Sequence, residues 1–201
     1  MKRNVSILLA SLFVIAGAIF ATGARAENEV PEPPAIGATI EDFTLPDADN
    51  KERSLKSLAG KNGTVLLFIS VQCPVSNDYN ERMEKLAQDY KAKGVAVIGI
   101  NSNVAEDATA VKAHAQNNKL SFPILKDPGN KIADRLGAKV TPEAYFLDAG
   151  NKLLYHGRID NARNAAQLET SDLRNALDAA LAGKAIEKSE AKAFGCSIKR
   201  A

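Results

Sequence analysis

Two thiols, Cys73 and Cys196, are the residues of this 201-residue chain best suited to covalent chemistry near neutral pH. Cys73 lies in Ser70-Val71-Gln72-Cys73-Pro74, directly after an apolar run and directly before a helical pattern. Pro74 suits the first position of a helix, where its missing amide hydrogen would have found no carbonyl in any case. A thiol at that junction faces the free amides and positive dipole end of the helix, which favour the thiolate. A sulfur so placed can attack another sulfur or a peroxide oxygen. The alternative is an inert, buried cysteine, but an apolar strand ending in Gln72-Cys73-Pro74 places the residue at a surface turn. No Lys, Arg or His stands in its immediate sequence neighbourhood and Asp78 is close, so a modest fall in its pKa is expected. Cys196 is distant in sequence, so any pairing with Cys73 must come through the fold. Two cysteines are too few for a disulfide framework.

The elements needed to position Cys73 are legible around it. Thr64 to Ile69 is an unbroken apolar and β-branched run, as expected for a strand covered on both faces. From Pro74 onward, Tyr79, Met83, Leu86, Ala87 and Tyr90 recur at helical spacing. Gly94 stops that helix, and Val95 to Ile100 supplies a second buried strand, which makes a βαβ unit with a parallel pair. A helix over 105–118 buries Ala108, Val111 and Ala115. A short strand near Phe122 to Leu125, a turn at Asp127-Pro128-Gly129 and a short helix to Gly137 follow. Ala144 to Leu147 and Lys152 to His156, joined by Asp148-Ala149-Gly150-Asn151, read as an antiparallel hairpin. Ser171 is placed to cap a last helix ended by Gly183. The tail is polar and mobile in character up to Phe194-Gly195-Cys196-Ser197-Ile198. His114 reads as a solvated helix residue, and His156, Arg158 and Asp160 as the polar face of a strand end.

The ends of the chain bear on compartment. Lys2 and Arg3, the apolar run from Val5 to Ala21 and Ala24-Arg25-Ala26 make a secretory signal cleaved after Ala26. An uncleaved anchor is the competing reading, since such a run is close to the roughly 17 residues that begin to span a bilayer. The expected organisation is a signal peptide over 1–26, an extended proline-rich leader over 27–37, one domain over 38–183 and a tail over 184–201 carrying Cys196. The signal removes Lys2, Arg3 and Arg25 from a total of 26 basic and 24 acidic residues. The remainder is nearly neutral and has no basic cluster interleaved with aromatics, which argues against a nucleic-acid partner. Export implies a periplasmic or secreted protein with no membrane span after cleavage, in a compartment that permits disulfides.

At these residues the chain resembles the redoxin families, close to the AhpC/TSA peroxiredoxin-like group. The likeness runs from about Pro34 to Arg200. It is carried by Gly37 to Phe43, by Phe68-Ile69-Ser70-Val71-Gln72-Cys73-Pro74-Val75-Ser76, by Val140-Thr141-Pro142, by Tyr155 to Asp160 and by Gly195 to Lys199. It implies an α/β thioredoxin-like fold with a central mixed β-sheet flanked by helices. Cys73 then matches the attacking cysteine of Cys-x-x-Cys. Ser76 stands where the second cysteine would be, so no dithiol can form within the turn. Ser70 falls where peroxiredoxins keep a Thr or Ser that contacts peroxide, but Leu66 stands where their motif asks for Pro. Pro142 matches the family's cis-proline, and Thr141 before it the residue whose backbone bonds extended substrates. Cys196 is either the resolving thiol, brought to Cys73 by the tail folding back, or half of a permanent structural bridge.

Three functions follow from these residues. The first is an exported thiol-disulfide oxidoreductase with Cys73 and Cys196 as catalytic residues and Thr141, Pro142, Ser70 and Ser76 as substrate-binding residues. Its partners would be a protein thiol or disulfide and an external reductant. The second is an antioxidant thiol peroxidase acting on peroxide. The third is a non-catalytic or copper-binding module, with Cys73, Cys196 and His156 as the imaginable copper ligands. The leading reading needs no cofactor and no metal.

Overall fold

A computed structural model describes residues 30–200. The expected signal peptide therefore lies outside the described residues. From residue 30 the chain runs extended over the surface, with Pro31 and Pro33 against Gly137. It enters the fold where the Gly37 amide donates to the Leu153 carbonyl at 2.7 Å.

The hairpin of β1 (Thr44–Pro46) and β2 (Glu52–Ser54) leads into α1 (Leu55–Leu58), whose start is closed by a capping box between Ser54 and Ser57. The central strand β3 (Gly63–Phe68) is buried along its whole length. It pairs in parallel with β4 (Val95–Asn101) and antiparallel with β7 (Glu143–Leu147). Outward from β4 lies the parallel strand β5 (Ile124–Lys126). Outward from β7 lie β8 (Leu153–Gly157), antiparallel to it, and then β9 (Glu190–Ala191), parallel to β8. The six-stranded sheet has the order β5-β4-β3-β7-β8-β9. This is the mixed sheet of the thioredoxin-like fold expected from the sequence.

Successive side chains of a strand point to opposite faces, so β3 feeds two cores. Val65 and Leu67 pack with Met83, Leu86 and Tyr90 of α3 (Asn80–Lys91), with Val111 of α4 (Ala108–Asn117) and with Leu173 and Leu177 of α6 (Asp172–Leu181). Leu66 and Phe68 pack on the other face with Ile132 and Leu136 of α5 (Lys131–Leu136) and with Phe43, Leu45 and Leu55 from the entry hairpin and α1.

Several expectations are corrected. The helix after Cys73 is two helices, α2 (Pro74–Asp78) and α3, broken at Tyr79. The buried Tyr79 hydroxyl is drawn instead to the Asp160 carboxylate at 2.8 Å and the Ala162 carbonyl at 2.9 Å. The helix expected over 105–118 starts at Ala108 because Asp107 caps it, accepting from the Ala110 amide at 2.7 Å, while Glu106 turns inward. His114 is buried rather than solvated, being three residues beyond Val111 and so on the same inward face. The Ser171 side chain makes no cap on α6. The tail is threaded into the fold, with β9 extending the main sheet and Ile198 buried in the second core.

Leu66, fully buried at the centre of β3, tests this architecture. Leu66→Ala is expected to lower the unfolding free energy by about 3 kcal/mol, read from urea midpoints at unchanged slope.

Candidate active site

Cys73 is the N-cap of α2, with Pro74 as its first residue. The Ser76 amide donates to the Cys73 sulfur at 3.3 Å, the hydrogen bond a helix N-terminus offers its cap. The Cys73 thiol donates to the Thr141 carbonyl, also at 3.3 Å. Thr141 belongs to β6 (Val140–Thr141), and the Thr141–Pro142 peptide is cis, as the resemblance implied. Opposite Thr141, in the antiparallel pair of β6 with β10 (Cys196–Ser197), stands Cys196. The structure thus brings all six expected site residues together, and it does so without the tail having to fold back.

One expectation about Cys73 fails. It is not at an exposed turn but only 3% exposed. Sequence pattern located the end of the strand correctly but could not show that residues more than a hundred positions later would cover it. Cys196, half-buried, is the more accessible sulfur, and both thiols are unbridged.

The electrostatics of the two sulfurs are opposed. Burial pushes the Cys73 thiol up, but the neighbouring Cys196 thiol, Thr141 and the Ser76 amide outweigh it and hold Cys73 below the usual thiol range. Cys196 is poised to donate to a Cys73 thiolate. The Thr141 hydroxyl is likewise buried and without a hydrogen-bond partner in this state, which leaves it free to turn toward a thiolate. Cys196 is pushed up by its interaction with Cys73 and then by partial burial. Arg163, in ion-pair contact with Asp78 at 2.5 Å, places a cation within electrostatic reach of both sulfurs. Its loop is held by Arg82, which donates to the carbonyls of Ala162 and Arg163, each at 2.6 Å.

The serines act on the backbone. Ser76 accepts from the Ser70 amide at 3.2 Å, and Ser70 accepts from the Cys73 amide at 3.0 Å. Ser70 in turn donates to the carboxylate of Glu106 at 2.6 Å, and the Val71 and Gln72 amides donate to the same carboxylate at 2.9 and 3.0 Å. Glu106 is a site residue that sequence reasoning missed. The available signal was the polar run Asn101-Ser102-Asn103 at the carboxyl end of a buried parallel strand, where α/β folds gather their functional groups.

The polar residues near the end of β8 all have partners. His156 Nε2 lies 2.6 Å from Glu143 Oε1, Arg158 pairs with Asp172 at 2.7 Å and Asp160 with Arg82 at 2.9 Å. His156 is not assembled with the two cysteines. Among the described residues no cluster of three His, Cys, Asp or Glu side chains is placed to hold a metal ion, which removes the imagined copper trio.

A central mixed sheet, a cysteine capping the helix after its middle strand and a cis-proline loop beside that cysteine define a thioredoxin-fold redoxin. The AhpC/TSA family model matches residues 36–156, and the chain belongs to that family. Thiol-disulfide oxidoreductase ResA of Halalkalibacterium halodurans is 29% identical over 147 residues, covering 73% of this chain and 80% of that one. Chloroplastic peroxiredoxin Q of Triticum aestivum is 29% identical over 126 residues, covering 59% of this chain and 57% of its own. A solved structure of a hypothetical protein from Sinorhizobium meliloti 1021 is 34% identical, covers 84% of this chain and 96% of its own, and superposes with a TM-score of 0.77.

The cover over Cys73 depends on Gly195, where a Cβ would stand 1.9 Å from the Thr141 carbonyl oxygen. Gly195→Val is therefore expected to lift β10 from β6 and speed alkylation of Cys73 by about tenfold or more. In the wild type, mass-resolved alkylation across pH should give Cys73 a lower midpoint than Cys196.

Proposed function

We propose that this protein is an exported thiol-disulfide oxidoreductase whose working pair is Cys73 and Cys196. The observation that carries the reading is the adjacency of two unbridged thiols shifted in opposite directions, one disposed to be a thiolate and the other to keep its proton. The Cys73 thiolate attacks one sulfur of a substrate disulfide, forming a mixed disulfide and releasing the first substrate sulfur as a thiolate that takes up a proton. Cys196, losing its proton, then attacks the Cys73 sulfur and expels the second. The substrate disulfide ends as two thiols and the protein pair as one disulfide, which an external dithiol reductant reopens.

The other site residues have supporting roles in this cycle. The Ser76 amide stabilises the Cys73 thiolate, and the Ser76 side chain, in place of a second cysteine, fixes the turn. Thr141 and the cis-Pro142 loop offer a backbone edge on which an extended polypeptide can lie. In the structure the chain's own Cys196 lies on it. Export rests on the signal pattern over 1–26, which also implies a periplasmic or secreted location. Among the described residues no helix is long and apolar enough to cross a membrane. The division into a domain over 38–183 and a functional tail over 184–201 belongs to the same proposal.

The peroxidase reading draws on the likeness to peroxiredoxin Q. Against it, the Ser70 hydroxyl is buried and committed, donating to Glu106 and accepting from the Cys73 amide, so it is not free to meet a peroxide.

Turnover of insulin disulfides with dithiothreitol as reductant separates the readings. Cys73→Ser is expected to fall about a hundredfold or more, to background, and Cys196→Ser to accumulate a mixed disulfide at Cys73. Undiminished turnover by Cys73→Ser would remove the proposal. Sulfenic acid trapped at Cys73 after a peroxide pulse, without insulin turnover, would replace it with the peroxidase.

A further inference from the structure

Glu106 is buried, only 2% exposed, yet no step of the proposed cycle uses it. Its carboxylate collects five donors: the Ser70 hydroxyl, the Val71 and Gln72 amides, and the side-chain amides of Asn101 at 2.5 Å and Asn103 at 3.1 Å. A carboxylate left unpaired in an interior is destabilising, and hydrogen bonds donated to the charged group offset its lost hydration. Five donors supply that compensation here. Burial pushes its pKa up, but Ser70, Val71, Asn101 and Gln72 hold the carboxyl below the usual range. Lys126, bonded to Asn101 Oδ1 at 2.7 Å and to the Asn103 carbonyl at 2.5 Å, adds a cation one residue away.

The donors belong to two different arms. Ser70, Val71 and Gln72 form the turn that delivers Cys73, and Ser70 also accepts from the Cys73 amide. Asn103 leads to the tail: its Oδ1 accepts from the Lys199 amide at 2.7 Å, and the Val104 amide donates to the Lys199 carbonyl at 3.1 Å. Lys199 lies two residues beyond β10, the strand that carries Cys196. We propose that Glu106 is the positioning residue of the thiol pair, one carboxylate that fixes the Cys73 turn and the Cys196 tail strand relative to each other. This rests on Cys73 and Cys196 being the working pair. Its consequence is a high effective concentration of one thiol at the other, because the entropy of bringing them together is met by the fold.

The test is the equilibrium between the dithiol and the Cys73–Cys196 disulfide in glutathione redox buffers, measured on the full chain with thermal melting alongside. Glu106→Gln keeps the size but turns an NH2 group toward these donors. It is expected to lower the effective concentration of the pair by about tenfold or more. Asp172→Asn is the control: Asp172 is a buried carboxylate at the start of α6, paired with Arg158 and Lys188, and its loss should lower the melting temperature and leave the disulfide equilibrium unchanged. Asn103→Ala cuts only the tail arm and gives a second reading should Glu106→Gln fail to fold. It should weaken the disulfide while leaving the pH midpoint of Cys73 alkylation in place. A lower melting temperature with a wild-type disulfide equilibrium, in Glu106→Gln or in Asn103→Ala, overturns the proposal. A wild-type protein that forms no internal disulfide at any glutathione ratio overturns the working pair itself, and this inference with it.

Discussion

The pairing of Thr141 with Cys196 is the contact on which the arrangement of the site depends. Thr141 presents its carbonyl to the Cys73 thiol and, as a strand residue, holds Cys196 in antiparallel register. One residue therefore fixes both sulfurs, one through its backbone oxygen and one through its strand edge. The contact is tight enough that position 195 admits only glycine, since a Cβ there would meet the Thr141 carbonyl oxygen. Farther along, the Ile198 amide donates to the Lys139 carbonyl at 3.0 Å, and Arg200 reaches Asp134 at 2.8 Å. The tail is thus fastened along the segment that leads into β6 as well as at β6 itself.

The rest of the fold fixes the Cys73 and Thr141 side of that contact. β3 is covered on both faces, so its end, where the Cys73 turn begins, cannot shift without disturbing both cores. The loop from Asp160 to Arg163 is pinned by Arg82 and Tyr79, whose ring lies under the Arg82 guanidinium at 3.6 Å. Glu143, the residue after Pro142, accepts from the amides of Lys139 and Val140 at 2.8 and 3.1 Å and so closes the cis-proline loop on itself. Polar groups give the site much of its geometry, and the buried carboxylates of Glu106, Glu143 and Asp160 each have their partners in place, the condition under which such networks specify one arrangement.

Most of the fold was legible because its signals are local. The apolar run of β3, the Cys73-Pro74 helix start and the turn chemistry after Leu147 each follow from neighbouring residues. What escaped were the long-range partners. His114 reads as polar until Val111 fixes which face is inward. Glu106 reads as one more acid in the first turn of a helix over 105–118, and only the positions of Ser70 and Asn103, 36 residues before it and three residues before it, show that it is an interior anion. The tail misled for the same reason. Lys184 to Lys192 is polar and, taken alone, has no reason to order, yet Glu190 and Ala191 complete a sheet whose other strands are all in place before them.

Burial of the proposed nucleophile changes how the site must work. A thiolate covered to this degree meets a substrate disulfide only when its cover opens, and the cover is a two-residue strand preceded by the exposed Gly195 and ending in the exposed Ser197. Short, exposed pairings sit at the low end of local opening free energies, well below global unfolding. The buried Ile198 and the Lys199 contacts with Asn103 and Val104 anchor the chain just beyond that strand. In the proposed cycle, opening of that strand would vacate the edge of Thr141 for an extended polypeptide, and its return would bring Cys196 to the sulfur that has reacted. Access and resolution would then depend on one short segment, and the residue assigned to complete the chemistry of Cys73 is also the one that covers it.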